Sequence, residues 1–78
     1  MKEDLQKFVN GSLLRGSEQV DSNESLLERG VIDSVGLMQL IEFIEDRTGL
    51  RIPDQLLVPE NFRSVDAMDE MIQNLRNP

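Results

Sequence analysis

Asp33 and Ser34 stand where a helix must begin, and they are the residues whose type and place could do chemistry. The stretch Gly30 to Phe43 reads GVIDSVGLMQLIEF. A serine hydroxyl at a helix mouth can attack, cap the helix or carry a covalent group. Phosphate binds well there because the first backbone N–H groups and the helix dipole face it. Attack is excluded by what the chain lacks. It has no histidine, so a Ser-His-Asp triad is impossible. The elbow pattern G-x-S-x-G is half met by Gly36, but Ile32 occupies the other glycine position. Lys2 and Lys7 belong to the solvated face of a first helix, so no serine-lysine dyad is indicated. Metal chemistry fares no better, because without His or Cys only carboxylates remain. Asp21-x-Asn23-x-Ser25 resembles the start of a calcium loop, yet Leu26 stands where the turn needs glycine and Ile32 where it needs glutamate. Capping and covalent attachment remain. The dipeptide alone favours capping, since Ser, Asp and Asn are the ordinary residues at helix N-termini.

The elements that must position Ser34 follow from periodicity. Leu37, Leu40, Ile41 and Ile44 fall on one helical face, with Gln39, Glu42, Glu45 and Asp46 on the other, which predicts a helix from about Ser34 to Thr48 with Gly49 as its C-cap. Arg47 in its last turn suits the negative dipole end. Val31 and Ile32 are expected to anchor the preceding loop, leaving Asp33 and Ser34 pointing outward. Leu5, Phe8, Val9 and Leu13 predict a first helix over residues 3 to about 14, weakened by Gly11 and ended by Gly16. Ser17 to Ser25 reads as a long polar loop with Val20 as an inward peg, after which Leu26 and Leu27 return to the core. Segment 50–62 is expected to be a buried connector ending in a short helical turn at Pro59–Phe62. Ser64 should cap a last helix whose inward stripe is Val65, Met68, Met71, Ile72 and Leu75, while Asn77 and Pro78 fray. The expected fold is an all-α single domain over 1–78, a small four-helix bundle of three main helices and a short one.

Bulk properties narrow the partners. The net charge of −7 is spread along the chain, about −3 before Ser34 and −4 from there onward. Nucleic acid and anionic membrane would repel such a surface, whereas basic proteins would not. Aromatics are 4% of residues, with neither Trp nor Tyr, too few for a base-stacking platform. No apolar run approaches the roughly 20 residues of a membrane span, so no membrane insertion is expected, and the cytoplasm and a monomeric state are the default expectations.

The succession of long polar loop, apolar return, Gly30, Asp33-Ser34, acidic amphipathic helix, Gly49, Ile52-Pro53-Asp54 and Pro59-Glu60-Asn61-Phe62 resembles the acyl carrier protein family. The resemblance runs from about Leu26 to Leu75, with the first 25 residues matching in pattern only. It implies that Ser34 is the attachment point of 4'-phosphopantetheine, delivered from coenzyme A by a phosphopantetheinyl transferase. It implies that Asp33 assists that modification, and that acyl or aminoacyl groups ride on the arm's thiol as thioesters. Val35, Met38, Gln39, Glu42, Glu45 and Asp46 would then face partner enzymes with basic docking patches, namely a loading acyl or aminoacyl ligase and downstream biosynthetic enzymes. The chain departs from the usual fatty-acid carrier. Gly30 lies one residue farther from the serine, Val35 stands where leucine is usual, and Gln39 takes an often acidic place. These departures resemble specialised free-standing carriers and imply a dedicated biosynthetic or aminoacyl pathway. The competing expectation from the residues is an unmodified helical interaction domain that binds through the same helix.

Overall fold

The computed structural model describes residues 1–14, 19–30 and 32–77. Its elements are α1 (Lys2–Phe8), α2 (Ser34–Thr48) and α3 (Val65–Arg76), with short turns between them and no strand among the described residues. Among the described residues the expected all-α fold with three main helices is what the chain forms, with two short 3-10 turns where one short helix was expected.

The first helix departs from expectation after Phe8. It widens into a π-helical turn over Val9–Leu13, in which Leu14 N–H donates to Val9 O at 3.0 Å, five residues back. Gly11 holds a helix poorly, and the Asn10 side chain accepts from Val20 N–H at 3.0 Å, so the turn opens toward the long loop. Leu5 and Val9 are fully buried, and Val20 fills the inward position foreseen for it. Gln6 Nε2 donates to Val20 O on the same side. The expected stop at Gly16 lies outside the described residues, as does Val31.

Leu26 reaches the core as expected, but Leu27 does not and is 44% exposed. Leu26 N–H is bonded to Arg63 O at 2.6 Å, which fixes this turn with one side chain inward and its neighbour outward. In α2 the inner face runs through Gly36, Leu40 and Ile44, with Leu37 and Ile41 half-buried beside it. Gly49 ends the helix in the left-handed region at φ 70°, its N–H donating to Glu45 O at 2.9 Å. A side chain there would be strained, so glycine is required.

The connector is only partly buried, which corrects the expectation. Ile52 is in the core, whereas Leu57 and Val58 are 36% and 40% exposed. Two 3-10 turns, Asp54–Leu56 and Pro59–Phe62, use up its length on the surface, and the first was not foreseen. Phe62 is buried and Asn61 Nδ2 donates back to Leu56 O at 2.8 Å. Ser64 caps α3 by accepting from Ala67 N–H at 3.0 Å, and Val65, Met68, Met71 and Ile72 are buried with Leu75 half-buried. The start of α3 is held by a corner of three segments. Lys2 Nζ lies 2.7 Å from Asp66 Oδ1, Ser22 Oγ donates to Asp66 Oδ2 at 3.3 Å, and Asp66 N–H donates to Ser22 O at 2.9 Å.

Candidate functional site

Asp33 and Ser34 divide the helix mouth between them. Asp33 is the N-cap, with extended backbone, and its Oδ1 accepts from Gly36 N–H at 2.7 Å. Its carbonyl accepts from Leu37 N–H at 2.9 Å, the first bond of the helical ladder. Ser34 is therefore the first helical residue and not the cap. Its side chain is exposed, and among the described residues no hydrogen bond is made by its hydroxyl. The N–H groups of Ser34 and Val35 precede the ladder and face the mouth, where negative charge is favoured.

Beside Ser34 lies a groove of about 310 Å³. Leu27, Ile32, Leu37, Val58, Pro59 and Phe62 line it, with Asp33 and Ser34 at the rim. Leu27 and Val58, two of the residues that failed to bury, are part of its lining. Sequence reasoning missed this lining; the signal available was the pairing of Leu27 with Leu26 and of Val58 with Pro59 around the serine loop. A group joined to Ser34 Oγ would meet no covering side chain and would find an apolar trough for its first carbons, so the residues present fit a phosphodiester-linked, partly apolar arm.

The expected docking residues on α2 do not behave alike. Val35 and Met38 are 63% and 62% exposed, one turn apart beside Ser34. Gln39, Glu42 and Asp46 are exposed, and among the described residues Glu42 and Asp46 have no ion-pair partner. Glu45 is half-buried and its Oε2 accepts from Ile52 N–H at 2.9 Å, tying the connector to the helix end. A carboxylate held that way is less available to a partner. Phe8, placed by the sequence on the apolar stripe of the first helix, stacks its ring on Phe43 with centroids 4.3 Å apart, a contact the sequence did not show.

Residues 4–72 match the family described as the phosphopantetheine attachment site, a span that includes the whole serine loop, α2 and the groove. The chain belongs to this phosphopantetheine carrier family. The carrier is 30% identical over 70 residues to the probable acyl carrier protein PigG of Serratia sp., an alignment covering 90% of this chain and 76% of that one. It is 38% identical over 58 residues to aminoacyl carrier protein 2 of Bradyrhizobium diazoefficiens, covering 74% of this chain and 64% of that one. It is 31% identical over 55 residues to the D-alanyl carrier protein of Streptococcus sanguinis, covering 70% of each. Among solved structures, a chain in a crystal structure of an FAD-dependent dehydrogenase superposes with a TM-score of 0.79 at 35% identity, covering 87% of the carrier and 97% of that chain. The cofactor of this family is covalently attached 4'-phosphopantetheine, and carriers of this kind work by passing bound intermediates among biosynthetic enzymes. No helix among the described residues is long and apolar enough to cross a membrane.

Proposed function

We propose that Ser34 carries the 4'-phosphopantetheine arm and that the protein delivers acyl or aminoacyl thioesters without catalysing a reaction itself. The observation that carries this reading is the free, exposed hydroxyl of Ser34 at the first position of α2, relieved of the capping role by Asp33. On loading, Ser34 Oγ would form the new bond to phosphorus, the pyrophosphate P–O bond of coenzyme A would break with adenosine 3',5'-bisphosphate as the leaving group, and the hydroxyl proton would pass to a base of the transferase. The attached arm supplies a thiol on which a carboxylic acid is held as a reactive thioester. The N–H groups at the helix mouth would stabilise a phosphodiester on Ser34, and Leu37 and Phe62 in the neighbouring trough would offer apolar contact to the arm's first carbons. Relatives named for aminoacyl and D-alanyl groups support short acyl or aminoacyl cargo. The absence of histidine and cysteine from the sequence supports a carrier without chemistry of its own.

Partner enzymes on this reading are the transferase, a loading ligase and the downstream enzymes, each presenting basic residues to the α2 face at Val35, Met38, Gln39, Glu42 and Asp46. The working compartment is the cytoplasm, where coenzyme A is available, and the working unit is a monomer. Incubation with coenzyme A and a broad-specificity phosphopantetheinyl transferase should raise the intact mass by one arm, and Ser34→Ala should abolish the gain. An unchanged wild-type mass beside a modified control carrier, or a modified Ser34→Ala variant, refutes the assignment. A partner complex whose productive output is indifferent to Ser34→Ala would favour the unmodified interaction domain instead.

A further inference from the structure

We propose that Lys7 is an acylation site, the acceptor to which an acyl group carried as a thioester is lost, and that Asp66 shields Lys2 from the same reaction. It rests on the reading that thioesters ride on an arm at Ser34, and it names the group of the chain that competes for them. A thioester carbonyl yields to nucleophiles, and the sequence holds neither cysteine nor histidine nor tyrosine. Its side-chain amines are Lys2 and Lys7 alone, because the remaining bases are arginines, which do not deprotonate in proteins. An amine attacks only through an unprotonated, unoccupied nitrogen, so the surroundings of the two lysines decide between them.

Both lysines are exposed on α1, and their partners differ. Lys2 Nζ lies 2.7 Å from Asp66 Oδ1, and by accepting that hydrogen bond Asp66 holds the ammonium above its usual 10.5. The nitrogen keeps the proton that occupies its lone pair. Lys7 makes no hydrogen bond or ion pair among the described residues. Glu3 and Asp4 stand one turn before it, yet neither pairs with it, and Asp4 Oδ2 faces Arg47 Nη1 at 3.9 Å instead. Lys7 also lies within reach of an arm on Ser34. Its neighbour Phe8 stacks on Phe43, which stands about nine residues along α2 from Ser34, roughly 14 Å. A phosphopantetheine arm is about as long as four or five residues of extended chain, roughly 15 Å, and the lysine side chain adds its own length. In the transfer, unprotonated Lys7 Nζ bonds to the carbonyl carbon, the C–S bond breaks, and the proton released by nitrogen goes to sulfur. An amide on Lys7 and a free thiol result, and the cargo is lost to the pathway.

The first test needs no arm. The Ser34→Ala chain is incubated with S-acetyl-N-acetylcysteamine, a soluble thioester, under mildly alkaline conditions, and acetyl-lysine is measured by peptide mass spectrometry after cleavage at Glu3, which puts Lys2 and Lys7 on different peptides. Lys7 should be acetylated about two- to fivefold faster than Lys2, the scale on which an exposed ion pair shifts such a balance. Adding Asp66→Asn should bring the two rates together, and so should high salt without that substitution, because it screens the pair. Equal rates while Asp66 is present at low salt, or a preference that survives both changes, overturn the shielding. In the second test, acetyl-phosphopantetheine is installed on the wild-type chain from acetyl-coenzyme A by a broad-specificity transferase, and intact mass confirms loading. Lys7 acetylation should then rise at a rate independent of protein concentration, and Lys7→Arg should lengthen the life of the thioester. A loaded chain whose Lys7 stays unmodified overturns the proposal, whereas a chain that takes up no arm refutes the attachment reading beneath it.

Discussion

Asp33→Ala and Ser34→Ala, neighbouring substitutions at one helix mouth, should have opposite consequences. Asp33 satisfies the Gly36 N–H that would otherwise face the helix end unbonded. Losing such a cap costs about 1 kcal/mol, and removing a carboxylate from the positive end of the dipole costs about 0.3–1 kcal/mol more. In a domain of this size each 1 kcal/mol moves Tm by about 4–8 °C, so Asp33→Ala should melt roughly 5–15 °C below wild type. Among the described residues the Ser34 hydroxyl makes no hydrogen bond to lose, and an exposed change of this kind stays within about 0.5 kcal/mol. Asp33→Asn keeps an acceptor oxygen and should fall between wild type and the alanine variant. Thermal unfolding by circular dichroism at 222 nm, at low ionic strength, reads all three. If Ser34→Ala melts as early as Asp33→Ala, the hydroxyl is a cap after all and the division of labour is wrong. If Asp33→Asn is as damaging as Asp33→Ala, the hydrogen bond is not what Asp33 contributes.

Two further outcomes follow from contacts away from the serine. The Asp66 carboxyl titrates below its usual 3.8, chiefly because Lys2 hydrogen-bonds to it, and Lys2 is raised above 10.5 chiefly by the same bond. Asp66 therefore contributes stability that is present above its unfolded pKa and lost as pH falls through its folded one, and Lys2 contributes stability lost as pH rises through its own folded value. Urea midpoints should consequently fall less steeply below about pH 4 in Asp66→Asn than in wild type, a small difference at an exposed pair that salt should shrink further. Glu45→Ala should free the Ile52 amide, with faster hydrogen exchange there and a loss of about 1–2 kcal/mol, while Glu45→Gln, which still offers an oxygen, should restore most of the protection.

Helices α2 and α3 were legible because each has both a periodic apolar stripe and a side chain or glycine that marks its end: Gly49, and Ser64 bonded to Ala67. Ser34 was legible for the same reason, as the residue at a mouth whose position the stripe fixes. What escaped depended on contacts between distant segments. The π turn after Phe8 involves Asn10 meeting Val20, and the outward set of Leu27 involves Leu26 bonding to Arg63. Neither is written in local spacing. Glu45 looked like one more acid on a solvated face, since its bond to Ile52 depends on how the chain returns after Gly49. The exchange of roles between Asp33 and Ser34 is finer still, because either residue can cap a helix and only the register of the first bonded amide tells which does.

The corner at Asp66 draws on Lys2 near the start of the chain, Ser22 in the long loop and the first turn of the last helix. During synthesis it cannot close until α3 has left the ribosome, because nearly the whole chain forms the loop it seals. α1 and α2, Ser34 included, precede Asp66 in the sequence and so emerge before the corner can close. Exchange protection or crosslinking at Lys2 and Asp66 would thus mark the finished molecule and separate it from an early, partly assembled one that already displays its serine. On the proposed attachment at Ser34, whether a transferase acts on that earlier species would set when in the protein's life the arm can be installed.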